Sequence, residues 1–283
     1  MRPADMPRRS IAASCCFDAQ RNMRSETLTE FWQYRELLYF FAWRDIKVRY
    51  RQAAFGAAWA VIQPLLNMII FTLLFGRVAH FQSGNIPYPI FVYCALLPWT
   101  YISGVLGVAS MSLVNNDPLL TKVYFPRALL PAGSVLAGLL DFVIGSFLLV
   151  GLMFYYHVQA GWSLLLSPLV ILLMVLLTMG VSMVTAALNV RYRDVRYALP
   201  FLIQVGLYAT PIVYPATMIP KRFQPILALN PCWGIVDGLR ACLFPGQPFN
   251  FKLMGTSVAV AILVFVLGAF YFHRAEKSFA DVI

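Results

Sequence analysis

The side chains able to do chemistry are few and scattered. His80, His157 and His273 lie far apart, and Cys15, Cys16, Cys94, Cys232 and Cys242 have neither the paired CxxC nor the Cys/His spacing of a zinc site. Cys232 and Cys242 could pair if exposed outside a cell, although free thiols are the simpler reading. No G-x-x-x-x-G-K-[ST] occurs, so ATP is not bound here through a P-loop. The acidic residues lie in tails, loops or one charged helix and form no close pair suited to acid/base work. Asp141 is the exception, since it falls inside an apolar run, where a charge is costly. It belongs either on a pathway or at a helix contact. Asp237 and Arg240 stand at i and i+3 and could pair on a helix. Trp59, Trp99, Tyr101, Phe201, Tyr208 and Tyr214 gather near the ends of apolar runs. Such aromatics anchor at membrane interfaces, or, lining a pore, offer ring faces to the C–H faces of sugars. These residues suit recognition and passage better than bond-breaking.

The elements that must position them are set by composition. Of 283 residues, 60% are hydrophobic and 12% charged, with a mean hydropathy of +0.71. An ordinary soluble domain carries about 25% charged residues, so lipid must solvate much of this chain. Apolar runs long enough to cross a bilayer fall at 54–76, 89–113, 128–153, 163–189, 196–214 and 252–273. The fifth is short and interrupted by Pro200, Pro211 and Pro215, which are expected to face protein rather than lipid. The expected fold is all-α: six transmembrane helices, an N-terminal amphipathic interface helix and re-entrant half-helices before the last span. Its parts are a basic tail at 1–27, the interface helix at 28–52, the membrane domain at 53–275 and a short tail at 276–283. Met23 is an alternative start, and no signal-peptide core precedes it.

Thr27 and Glu30 make a capping box that opens the first helix. Gln33, Glu36, Arg44, Lys47 and Arg51 share one side of it, with Phe31, Tyr34, Leu38 and Ala42 opposite and Phe40 breaking the polar face. It is too charged to span and should lie along the membrane surface, or else pack on a soluble partner. The net charge of +10 does not point to nucleic acid, because Lys and Arg flank apolar runs. With the N-terminus inside, inner segments hold 17 of them and outer segments 5, so both termini are expected in the cytoplasm.

Three connections carry further information. In Asn115–Arg127, Asp117 suits a helix N-cap, Pro118 the first turn, and Pro126 the stop. The short helix would leave Leu119, Leu120, Tyr124 and Phe125 exposed, either as a turn resting on headgroups or as a docking knob for a cytosolic partner. At Leu188–Arg196, three arginines fit positive-inside anchoring, while Asp194 among them suggests a specific salt bridge. Within 215–251, Pro225–Leu229, the break Asn230-Pro231 and Trp233–Leu243 read as helix, break, helix; they form an outer gate or a surface cap.

The order of motifs then becomes specific. Trp43-Arg44-Asp45-Ile46-Lys47-Val48-Arg49-Tyr50, Gly56-Ala57-Ala58-Trp59, Gln63-Pro64 and Leu97-Pro98-Trp99 are followed by Lys122-Val123-Tyr124-Phe125-Pro126-Arg127. Asn189-Val190-Arg191-Tyr192-Arg193-Asp194, Pro211-Ile212-Val213-Tyr214, Leu229-Asn230-Pro231 and Phe279-Ala280-Asp281-Val282-Ile283 complete the series. From about residue 28 onward the chain resembles the permease subunits of ABC-2 type polysaccharide exporters, departing at Cys232, where methionine is frequent. The resemblance implies a homodimer bound to two copies of a separate ATPase, which would hold ATP and Mg; no cofactor is implied in this chain. It implies ATPase contacts at Arg44, Lys47, Asp117, Leu120, Lys122, Tyr124, Arg193 and Asp194. The path would include Trp59, Trp99, Tyr101, Tyr208 and Tyr214, and the outer gate Asn230, Pro231, Asp237 and Arg240. The implied substrate is a lipid-linked glycan such as O-antigen, capsule or teichoic acid, crossing a cytoplasmic (inner) membrane. The rivals are an ABC-2 exporter of a drug or small lipid, a membrane enzyme acting on lipid-linked sugars, and a secondary transporter. Clustered acids or histidines, which the enzyme needs, are missing from the sequence.

Overall fold

The structure, a computed structural model, describes residues 34–51, 58–78, 86–122, 125–159, 161–215, 218–220, 222–244, 247 and 249–282. The basic tail, the Thr27–Glu30 box, Gln33, Phe31, Cys15, Cys16, His80, Val123 and Tyr124 lie outside the described residues. The helices are α1 (Arg35–Arg51), α2 (Trp59–Phe71, continuing as wider π-helical turns through Thr72–Val78), α3 (Tyr88–Met111), α4 (Asp117–Lys122) and α5 (Leu129–Tyr155). They are followed by α6 (Ser167–Arg191), α7 (Val195–Ala209), α8 (Gln224–Leu227), α9 (Pro231–Leu243) and α10 (Phe251–Val282).

Among the described residues, five helical stretches are long and apolar enough to cross a membrane: Trp59–Arg77, Tyr88–Met111, Leu129–Tyr155, Ser163–Arg191 and Phe251–Glu276. The fifth expected span differs. α7 has 15 residues, about 22 Å at 1.5 Å per residue, short of a hydrocarbon core of about 30 Å. Pro211 ends it and is buried, as expected, but Pro200 sits within the helix and is exposed.

α3 forms the centre, with Ile90–Leu97 wholly buried. In a bilayer, helices are held by close backbone approach and interhelical hydrogen bonds rather than by hydrophobic collapse. α3 shows both devices against α5: Tyr93 Oη donates to Gly145 O at 2.9 Å and Tyr101 Oη to Val135 O at 3.2 Å. A methyl group at Gly138 would lie 2.3 Å from Val105 Cγ2. α6 and α10 cross closest at Gly180 and Gly268, where a Cβ on Gly268 would lie 2.4 Å from the Gly180 carbonyl oxygen.

Around α3 the helices share one large core, and further contacts gather towards its two ends. At one, Phe41, Leu113, Phe125, Leu129, Met183 and Phe272 pack together. Arg127 donates there to the Glu276 carbonyl at 2.9 Å, and buried Asn189 to the Ser110 carbonyl at 2.9 Å. At the other, Tyr88 Oη donates to Val213 O at 2.6 Å and Ser163 Oγ to Cys242 O at 3.2 Å.

Candidate translocation and coupling site

α1 is placed by its contacts with α5. Phe41 and Ala42 pack on Gly133, where a Cβ would lie 2.9 Å from Phe41 Cβ. Ser134 Oγ donates to Asp45 at 2.9 Å, and Arg49 and Tyr50 both donate to Asp141. Both sequences advance by about eight positions, so α1 runs parallel to α5 for roughly 12 Å. The expected division of faces holds for Tyr34, Leu38 and Ala42 on the packed side and for Glu36, Lys47 and Arg51 on the open side, with Arg44 half-buried between them. Tyr39, Phe40, Trp43 and Val48 are exposed beside Lys47 and Arg51, while Asp45 and Arg49 turn inward.

Asp141 is therefore a helix contact, held by an ion pair and a tyrosine hydroxyl from α1. Burial pushes the Tyr50 hydroxyl well above its usual range; the Asp141 hydrogen bond and charge add to this and Arg49 opposes it. Tyr50 thus stays a protonated donor. The same carboxylate also lines a cleft of about 310 Å³ with Arg49, Trp59, Gln63, Thr100 and Tyr101. Pro64, Leu97, Val105, Val108 and Phe142 also line it, so apolar walls surround a few polar and charged groups, and the volume lies at the lower end of ligand pockets.

The five expected path residues divide. Trp59 and Tyr101 share this cleft, Trp59 being 56% exposed and Tyr101 buried. Trp99 is half-buried, its ring close against Gly206 of α7, where a Cβ would lie 2.7 Å from Cη2. Tyr208 is exposed near the end of α7, and Tyr214 Oη donates to its carbonyl at 3.1 Å. The expected path residues thus form two groups within one chain.

The short connection after α3 is built differently from expectation. Asp117 is itself helical and opens α4, and a 3₁₀ turn at Val114–Asn116 precedes it. Phe125 is 5% exposed, its ring 5.5 Å from that of Phe41, and Leu119 and Leu120 are half-buried against the same cluster. The apolar side chains anchor the segment instead of projecting from it. Lys122 ends α4. Arg44 reaches across, its Nη1 donating to Asn116 Oδ1 at 2.7 Å, while Nη2 pairs with Asp45 at 3.1 Å. Lys47 is exposed on the outer side of α1, its ammonium 6.0 Å from the Trp43 ring centre. Arg193 and Asp194 are both exposed at the turn into α7. Asp194 forms no ion pair with another described residue; its charge instead sits at the N-terminus of α7, where the helix dipole favours it.

At the opposite end, Asn230 and Pro231 act as expected of a break. Asn230 caps α9 by accepting from Cys232 N at 3.0 Å, and its Nδ2 donates to Thr210 Oγ1 at 3.0 Å. Among the described residues no ion pair joins Asp237 to Arg240. Asp237 is half-buried, and Arg240 points away to other elements: Nη1 donates to Pro211 O at 2.9 Å, and Nη2 to Ile212 O at 2.8 Å and Phe91 O at 3.3 Å.

Arg49, Tyr50, Asn116 and Gln63 have roles that spacing did not disclose. A signal existed for Arg49: a lone acid in an apolar helix demands a cation, and α1 is the richest basic segment.

The ABC-2 type transporter family profile matches residues 36–244. The O-antigen export system permease protein RfbA of Myxococcus xanthus is 30% identical over 257 residues, covering 90% of this chain and 98% of that protein. A protein of the same name from Klebsiella pneumoniae is 27% identical, with 88% and 95% covered. The polysialic acid transport protein KpsM of Escherichia coli is 23% identical, with 77% and 87% covered. With its all-helical, multi-pass architecture, this chain belongs to the ABC-2 type transporter family.

Proposed function

We propose that the chain is the channel-forming permease subunit of an ATP-driven exporter that moves a lipid-linked polysaccharide across the cytoplasmic membrane. The observation that carries this is near full-length similarity to permeases named for O-antigen export. The polysialic acid transport protein extends the likeness to a second kind of polysaccharide.

In this reading the chain is a transporter subunit and not an enzyme. A separate ATPase, in two copies, binds ATP and Mg and docks at the end formed by α1, α4 and the turn before α7. The distribution of Lys and Arg supports the reading of that end as cytoplasmic, with both termini inside. Two copies of the chain form the path between them. α7 buries only Leu199, and α2 leaves Trp59, Leu66, Ile70 and Leu74 outward. Gln63 and Gln204 are also exposed on these helices. An amide facing lipid is unfavourable, so a second copy or a hydrated path suits these faces better than lipid tails. The outer side of α1, with Trp43, Lys47 and Arg51, suits anionic headgroups.

ATP-driven closure of the ATPase pair pushes on α4. Arg44 passes the movement to α1, and Arg49 and Tyr50 pass it to the cleft wall at Asp141. Deleting the gene in its host is expected to abolish the surface polysaccharide while its lipid-linked precursor accumulates on the inner face. Unchanged surface polysaccharide would refute the proposal.

A further inference from the structure

Beyond the cap at Thr210, whose N–H still reaches the Gly206 carbonyl, side chains from other elements hold the carbonyls of Pro211, Ile212 and Val213, and another reaches the Thr210 hydroxyl. Asn230 donates to Thr210 Oγ1 at 3.0 Å, Arg240 to the carbonyls of Pro211 and Ile212, and Tyr88 to that of Val213 at 2.6 Å. Arg240 does the most. It is 5% exposed, and its guanidinium carbon stands 3.6 Å from the centre of the Phe91 ring. It also donates to the Phe91 carbonyl at 3.3 Å. A buried charge without an ion-paired carboxylate is costly, and the three carbonyls that accept from Nη1 and Nη2 offset part of that cost, while Nε has no acceptor among the described residues. Irregular backbone at membrane depth likewise persists only where protein satisfies it. One side chain of α9 thereby joins the break after α7 to α3. α7 itself is otherwise loosely held, with Leu199 its only buried residue.

We propose that Arg240 is a positioning residue that pins the end of α7 in the closed position of the outer gate. The inference rests on the export reading above, since a gate presupposes a path. Sequence spacing points Arg240 at Asp237; the packing assigns it to carbonyls distant in sequence.

The test uses the full chain with its ATPase, reconstituted in vesicles, with efflux of trapped chloride measured in the absence of ATP. Arg240→Lys keeps the charge but loses the planar fork that serves carbonyls on two segments at once. Its leak is expected to rise about tenfold over wild type, equivalent to a shift of roughly 1.4 kcal/mol in the gate equilibrium. Leu239→Ala, a buried neighbour on α9 that touches none of these carbonyls through hydrogen bonds, controls for loosened packing and is expected to stay tight. A tight Arg240→Lys complex, or equal leaks from both variants, would overturn the pin. Where Arg240→Lys does not accumulate, Tyr88→Phe serves: it frees the Val213 carbonyl alone, and a tight Tyr88→Phe complex likewise counts against the proposal. Glycan export by the wild-type complex, measured in the same vesicles, separates failure of the pin from failure of the export reading.

Discussion

A carboxylate within an apolar helix needs a partner, and Asp141 takes two from α1. Removing Arg49 alone leaves a half-buried, uncompensated acid, at a cost of about 1–3 kcal/mol. Removing both members leaves no unpaired charge, so Arg49→Ala with Asp141→Ala should be less destabilising than the two single changes added together. Thermal unfolding of the four proteins in mild detergent measures this, and additive losses would mean that the ion pair contributes nothing. At this scale the sequence was only half legible. Asp141 announced itself by standing alone, but its partners lie 91 and 92 positions away on another helix. Arg240 misled for the same reason: its nearest charged neighbour on the helix is Asp237, yet burial against the Pro211–Ile212 turn decides its contacts.

Among the elements, long apolar runs were the most legible, because about 20 such residues have no other stable environment than lipid or a large core. The half-helices also followed from local chemistry, since Asn230-Pro231 both caps α9 and prevents its continuation backward. The fifth span was less legible, its end fixed by a proline turn whose hydrogen bonds come from elsewhere. α1 was legible as a helix but not in its setting, since apolar residues fall on both its sides. One side rests on α5, and the other stays open. Its importance at this scale is as a strut, tied to Asn116 near one point and to Asp141 further along. Arg44→Ala cuts the first tie outside the main core. It is therefore expected to preserve ATP hydrolysis by the complex, with export falling about tenfold relative to hydrolysis, roughly the effect of losing one charged hydrogen bond. Vesicle transport and phosphate release, measured on one preparation, give the ratio; an unchanged ratio would remove α1 from the coupling route.

For the whole molecule, the proposed export rests on a two-ended arrangement. One end gathers α1, α4 and the Arg127–Glu276 contact; the other gathers the half-helices and the break after α7. Rigid helices connect them, and the proposed mechanism uses these to carry a push from one end to a gate at the other. The central claim is that this push comes from a separate ATPase and is tied to a glycan. The most direct measurement is to purify the tagged full chain in mild detergent, identify what accompanies it, and assay ATP hydrolysis with and without a lipid-linked polysaccharide. A P-loop ATPase should co-purify, and its hydrolysis should rise when the glycan lipid is added. A chain that purifies alone under several extraction conditions, or an accompanying ATPase indifferent to the glycan lipid, would contradict the account.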